Sequence, residues 1–305
     1  MDWARIRTPI SLFLIVVSFA LFFTVGVNEG IDFKGGTVMF AHNTKGAADI
    51  GAVRAKVSSL GLGDVQVQNI TVGGDNDVLI RVALQEGGDA AQQAVVTKVR
   101  NALGPDYEFR NVEVVGSRVS SELATSGIWA VLFTIAGIMA YIWFRFEWQF
   151  GIAAVATLVH DAILTVGFFA LTRIDFNLQS IAAILTIIGY SLNDTVVIFD
   201  RIREILRKYK AMPMREVIDL ATNQTLARTI MTSLTLELAL LALYFFGGPV
   251  VQSFTAAMIW GIFVATASSI FIGGPILIYF NLRPRTQTHI ADKPAAAAQK
   301  AAPAE

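Results

Sequence analysis

The sequence has no cysteine and only three histidines in 305 residues. The first absence excludes disulfides, thiolate nucleophiles, iron–sulfur clusters and zinc ribbons, and the second leaves too few imidazoles for a histidine-built metal site. Charge is scarce as well. Asp, Glu, Lys and Arg make up 16% of the chain, 24 basic against 24 acidic, so no net field favours a nucleic-acid partner. Motifs of intramembrane hydrolysis are also missing. There is no His-Glu-x-x-His and no Gly-x-Gly-Asp, and Gly189-Tyr190-Ser191-Leu192-Asn193 departs from Gly-x-Ser-x-Gly at its last position. An enzyme is therefore not the expectation.

What the chain has in excess is apolar sequence: 54% of residues are hydrophobic and the mean hydropathy is +0.56. A soluble core of that composition would leave too little polar surface to solvate itself, so the surplus must meet lipid. A hydrocarbon layer about 30 Å thick needs roughly 20 helical residues. Six runs qualify, at about 9–27, 123–144, 150–171, 178–199, 229–246 and 253–280, the last with a kink expected at Gly273-Gly274-Pro275. The N-terminus resembles a signal peptide but lacks a small-x-small cleavage site, so 1–29 reads as an uncleaved first span. Basic residues gather on one side: Arg5 and Arg7, Arg145, then Arg201, Arg203, Arg207, Lys208, Lys210 and Arg215, then Arg283 and Arg285. Short loops on the other side offer Arg173 alone. The positive-inside rule then predicts that both termini and a basic loop over 200–228 are cytoplasmic, with spans two to six within 122–283. The Ala-rich tail 284–305 reads as disordered.

Residues 30–121 differ, with apolar positions that alternate or recur at helical spacing but never run long enough to span. Strands are predicted at 37–42, 65–70, 77–84 and 107–115, helices at 47–60 and 89–103, and a hairpin turn at Gly73-Gly74-Asp75-Asn76. That βαββαβ order is the ferredoxin-like split arrangement. The expected fold class is thus a polytopic α-helical membrane protein with six transmembrane helices and an α+β ferredoxin-like extracytoplasmic domain.

Ionisable groups at membrane depth cost about 2.5 to 3.5 kcal/mol each on insertion scales, so each needs a reason. Asp194 lies in the cytoplasmic half of span four and Arg228 at the cytoplasmic start of span five, at similar depth on antiparallel neighbours, with Thr232 one turn beyond Arg228. Two readings stand. Asp194 and Arg228 form a fixed ion pair, or Arg228 snorkels. Alternatively Asp194 carries a proton: burial favours the neutral acid and a nearby guanidinium the ionised one, so a change in separation switches it. His160 and Asp161 near the middle of span three are either hydrogen-bonded packing residues or a second acid on the path. Glu237 is nine residues from Arg228 and so on the opposite helix face, where a direct pair is not expected.

Several blocks together carry a resemblance. Gly30-Ile31-Asp32-Phe33-Lys34-Gly35-Gly36-Thr37, Val115-Gly116-Ser117-Arg118-Val119-Ser120-Ser121-Glu122-Leu123, His160-Asp161, the run from Gly189 through Asn193, Asp194, Asp200 and Arg201 to Glu204, Ala227-Arg228-Thr229-Ile230 and Phe246-Gly247-Gly248 resemble, in order, the SecD/SecF family of bacterial protein-export subunits. One six-span unit with a small external domain fits the SecF branch. The resemblance implies an RND-like bundle in the inner membrane and a heterodimer with SecD beside the SecYEG channel and the associated YajC and YidC. It implies promotion of unfolded preprotein export by the proton-motive force, with the proton as coupling ion and no cofactor. It also implies a proton pathway through Asp194, Arg228 and Thr232. Glu237 departs from the family pattern, where the residue is usually uncharged. Half of an RND-type solute exporter, or a passive scaffold, are the competing expectations.

Overall fold

The computed structural model describes residues 2–70 and 76–280. The predicted turn at 73–76 falls almost wholly outside them, as does the tail. Helix α1 (Asp2–Thr24) leads into a short strand β1 (Asn28–Glu29), and the segment expected as a plain turn holds one helical turn, α2 (Ile31–Lys34). Gly35 and Gly36 follow at φ +73° and +134°, and a Cβ on Gly36 would stand 2.6 Å from the Val82 carbonyl oxygen. Only glycine fits both the left-handed backbone and that approach, which accounts for the Gly-Gly pair.

Strands β2 (Gly36–Asn43), β3 (Val65–Asn69), β4 (Asp77–Ala83) and β5 (Tyr107–Val115) form one antiparallel sheet in the order β3-β4-β2-β5, with α3 (Ile50–Ser58) and α4 (Gly88–Leu103) in the connections. Alternation in β4 sends Val78, Ile80 and Val82 into the core and Leu79 and Arg81 to the other face. Val53 and Val57 of α3 and Val95, Val99 and Leu103 of α4, all at i,i+4 spacing, close that core. Helix α3 starts three residues later than predicted because Asp49 accepts from the Ala52 amide at 3.0 Å and caps it.

Five further helices follow: α5 (Ser117–Arg145), α6 (Trp148–Thr172), α7 (Leu178–Lys208), α8 (Met214–Phe246) and α9 (Pro249–Ser268), the last continuing as a π-helical segment (Ser269–Gly273) and short turns to Tyr279. All five are long and apolar enough to cross a bilayer; in α1 the apolar stretch is the shorter Pro9–Thr24. The most apolar windows of α6, α7 and α9 are 56, 50 and 50% buried against 11% for α5 and 17% for α8. The bundle is therefore built on α6, α7 and α9, with α5 and α8 flanking. The π segment has a local cause. Pro275 has no N–H, and its ring would collide with the carbonyl four residues back, a conflict that widening the preceding turn relieves.

Two boundaries are corrected. Helix α5 begins at Ser117, so the last residues assigned to the soluble segment belong to it. The 200–228 region is not a loop: α7 runs on to Lys208 and α8 starts at Met214, leaving a connection of 209–213. Ile202 and Ile205 of α7 pack with Val217, Ile218 and Ala221 of α8, which extends the hydrophobic contact past the apolar runs. Arg145 pairs with Asp200 at 3.2 Å, and Arg201 with Glu204, on the outside of this hairpin.

Helix α1 lies against α6 at Gly167, where a Cβ would stand 3.0 Å from the Ser18 Cα and nearer still to its side chain. Gly137 of α5 has nothing within 4 Å. Gly167→Ala should therefore lower the thermal stability of the detergent-solubilised protein, by about 1 to 3 kcal/mol of overpacking. Gly137→Ala should leave it unchanged or raise it by up to about 1 kcal/mol through helix propensity.

Candidate functional site

Four helices meet around Asp161, which is fully buried. One carboxylate oxygen, Oδ1, lies 2.9 Å from His160 Nδ1; the other, Oδ2, accepts from Ser191 Oγ of α7 at 2.6 Å and from Ser268 Oγ of α9 at 2.8 Å. The imidazole continues the chain, since His160 Nε2 lies 2.7 Å from Ser11 Oγ of α1. Ser269 at the first position of the π segment meets Thr195 Oγ1 at 3.1 Å and the Ser191 carbonyl at 3.4 Å. A second hydroxyl chain, Tyr190 to Ser233 at 3.0 Å and Ser233 to Thr266 at 2.7 Å, ties α7 to α8 and α9.

Asp194 is one turn from Ser191 and adjacent to Thr195, yet its situation is the reverse of Asp161. It is 3% exposed, its Oδ2 is buried without a hydrogen-bond partner, and no cation lies within ion-pair distance of it among the described residues. The expected direct ion pair with Arg228 is not formed, although the guanidinium stands near enough for its charge to act on the Asp194 carboxylate. Arg228 itself is exposed on α8, and its neighbour Thr229 is the buried residue, with a hydroxyl that also lacks a hydrogen-bond partner. Thr232 lies on the exposed side too, its hydroxyl bonded back to the carbonyls of Arg228 at 3.0 Å and Thr229 at 3.1 Å. Glu237 is half-buried, with Oε1 unpartnered. Asn193 and Gly189 are exposed on α7.

The other motif residues lie away from this cluster. Asp32 accepts from the Leu178 amide at 2.7 Å, capping the first turn of α7 from outside the bundle. Asp200 and Arg201 work in the α7–α8 hairpin, where Arg201 Nε donates to Gln224 at 2.6 Å. Among the described residues no three His, Asp or Glu side chains converge as metal ligands would. The arrangement places two buried acids of opposite surroundings within one bundle. Sequence reasoning missed Ser11, Ser191, Thr195, Ser268 and Ser269. The signal available was the pair of adjacent serines, Ser268-Ser269, inside an apolar run.

Comparisons with known proteins bear on this site. The family profile described as "Protein export membrane protein SecD/SecF, C-terminal" matches residues 95–283, and the "SecD/SecF GG Motif" matches 20–39. The chain belongs to the SecD/SecF family. It is 44% identical over 294 residues to a relative named protein translocase subunit SecF from Rhodobacter capsulatus, covering 92% of this chain and 87% of that one. A relative named protein translocase subunit SecDF from Brucella abortus is 44% identical over 276 residues, covering 90% of this chain but 36% of its own length. The crystal structure of SecDF from Thermus thermophilus, titled a translocon-associated membrane protein, superposes with a TM-score of 0.78 at 31% identity, covering 92% of this chain and 38% of that one. As a SecD/SecF family member the chain thus spans most of a SecF-length relative and little more than a third of the SecDF ones. The GG motif match contains Asp32, Gly35 and Gly36, and the longer match contains both acids, His160, Arg228 and Thr232.

The two aspartates should respond differently to substitution. Asp161→Ala strands a histidine and two serine hydroxyls and should cost about 3 kcal/mol or more. Asp194→Asn removes no hydrogen bond and should change stability by less than about 1 kcal/mol. Thermal unfolding in detergent compares them directly.

Proposed function

We infer that this chain is the SecF-type accessory subunit of the Sec protein translocase in the bacterial inner membrane, and that it is a transport subunit rather than an enzyme. In this reading it crosses the bilayer six times with both termini cytoplasmic. Its RND-like bundle pairs with SecD beside the SecYEG channel and the associated YajC and YidC. The sheet module is a ferredoxin-like domain on the outer side. Proton movement down the proton-motive force through the bundle drives that domain and promotes export of unfolded polypeptides.

The observation that carries the reading is a buried acid beside an open polar face. Asp194 Oδ2 has no hydrogen-bond partner among the described residues, while Arg228, Thr232, Gly189 and Asn193 are exposed on α7 and α8 nearby. An arginine exposed where a helix enters the bilayer is costly to leave against lipid, so this face calls for a partner helix or a polar path. The SecDF relatives, in which the matched region is 36 to 38% of a longer chain, support a second bundle as that partner. With the partner in place, Arg228 and Asp194 face a shared polar space in which the acid takes up a proton from one side and yields it on the other. Arginine keeps its proton throughout and acts as the fixed charge. Asp161, with its three hydrogen-bond contacts, ties α6, α7 and α9 together one turn from Asp194. Glu237 has no part in the path as drawn.

The test is export by inverted membrane vesicles or cells in which this chain replaces the native subunit. Asp194→Asn should insert and co-purify with SecD at wild-type levels while the gradient-dependent component of preprotein export is lost. Undiminished export by that variant rejects the role.

A further inference from the structure

The sheet module is joined to the bundle covalently at two places, through residues 25–35 from α1 and through Gly116 into α5. A third tie is not covalent and comes from residues far apart in sequence. Arg81, on the face of β4 turned away from the module's own core, forms an ion pair with Asp175 in the short turn between α6 and α7. The partners are 13% and 24% exposed, so this pair is screened far less than a surface bridge.

The turn that carries Asp175 is itself fastened. Asp175 belongs to a two-residue strand, β6 (Asp175–Phe176), that pairs in parallel with β1, and its Oδ1 accepts from Asn28 Nδ2 at 2.7 Å. Arg173, in the left-handed region at φ +58°, donates to the carbonyls of Val25 at 3.1 Å and Gly26 at 2.8 Å, closing the end of α1. Ser180 Oγ in the first turn of α7 donates to the Asp175 carbonyl at 3.2 Å, and Asp32 caps the same turn. From Leu178 the helix runs without interruption to Asp194, about 24 Å at 1.5 Å per residue. The open face of the sheet does not rest broadly on the bundle. A cleft of about 500 Å³ separates Phe40, Gln68 and Leu79 on the sheet side from Gln179 and Gln252 on the bundle side. Across the cleft, away from the two covalent connections, the Arg81–Asp175 pair therefore links the sheet face to the bundle, and the cleft leaves room for the module to tilt.

We propose that Arg81 and Asp175, with Asp32 holding the start of α7, form the joint that passes displacement of α7 to the sheet module. They are positioning residues for transport, remote from the proton-carrying acid. The inference rests on the proton-coupled reading above. It differs from a packing role in one respect: breaking the joint uncouples proton movement from export without stopping proton movement.

The experiment uses the assembled SecD complex with the channel in vesicles, measuring proton uptake that depends on Asp194 and export driven by the same gradient. Arg81→Gln and Asp175→Asn should each lower gradient-driven export about fivefold or more while proton uptake stays at the wild-type rate. The charge-exchanged double variant, Arg81→Asp with Asp175→Arg, should return export to within about twofold of wild type. Wild-type export by the single variants overturns the joint and leaves the proton-coupled reading standing. Loss of proton uptake together with export, unrestored by the exchanged pair, also overturns it, because the residues are then structural. Absence of Asp194-dependent uptake in the wild-type complex defeats the reading beneath, and the joint with it.

Discussion

Inside a bilayer a polar atom finds partners in the protein or goes without, and the cost of going without is what organises this molecule. Asp161 meets that constraint completely, with His160, Ser191 and Ser268 around it. In doing so it draws α6, α7 and α9 together, and through His160 and Ser11 it adds α1. The three helices it joins directly are also the best buried of the bundle, so the hydrogen-bonded hub and the tight apolar packing coincide. The π segment contributes here, because it turns Ser268 and Ser269 together toward the centre, each 1% exposed.

Asp194, a single turn along α7 from Ser191, leaves the constraint unmet. The Asp161 carboxylate has three hydrogen-bond contacts where Asp194 Oδ2 has none, so burial costs the two acids very differently. The contrast between two aspartates in one bundle therefore separates a fully bonded anchor from an acid left unbonded. The exposed Arg228 and Thr232 lie on the side where a second set of helices would complete the surroundings of Asp194. From Asp194 the same continuous helix reaches the turn where Asp32 caps it and Asp175 meets the sheet module.

Much of this was legible in the sequence. Strand β5 occupies 107–115 as predicted, and the other strands and helices of the sheet module fall within a few residues, because alternation and i,i+4 spacing are local signals. Asp194 was conspicuous because any charge in an apolar run is. The 200–228 segment was misread since its charges lower hydropathy while Ile202, Ile205, Val217 and Ile218 preserve helical spacing, a pattern a search for apolar runs passes over. The serines of the Asp161 hub were invisible for another reason: a serine in a helix commonly bonds its own backbone, and only tertiary contact shows which ones do otherwise. The pairing of Arg81 with Asp175, and the lack of one between Asp194 and Arg228, depend on how elements face one another, which no local period encodes.

Protonation change at Asp194 is the physical event on which the account turns, and infrared difference spectroscopy of the SecD complex observes it directly. When the external pH is stepped, the wild-type complex should show a protonated-carboxyl band that appears and disappears reversibly, and the band should be missing from Asp194→Asn. A spectrum in which wild type and Asp194→Asn respond identically contradicts the account and leaves Asp194 as a static element of the bundle.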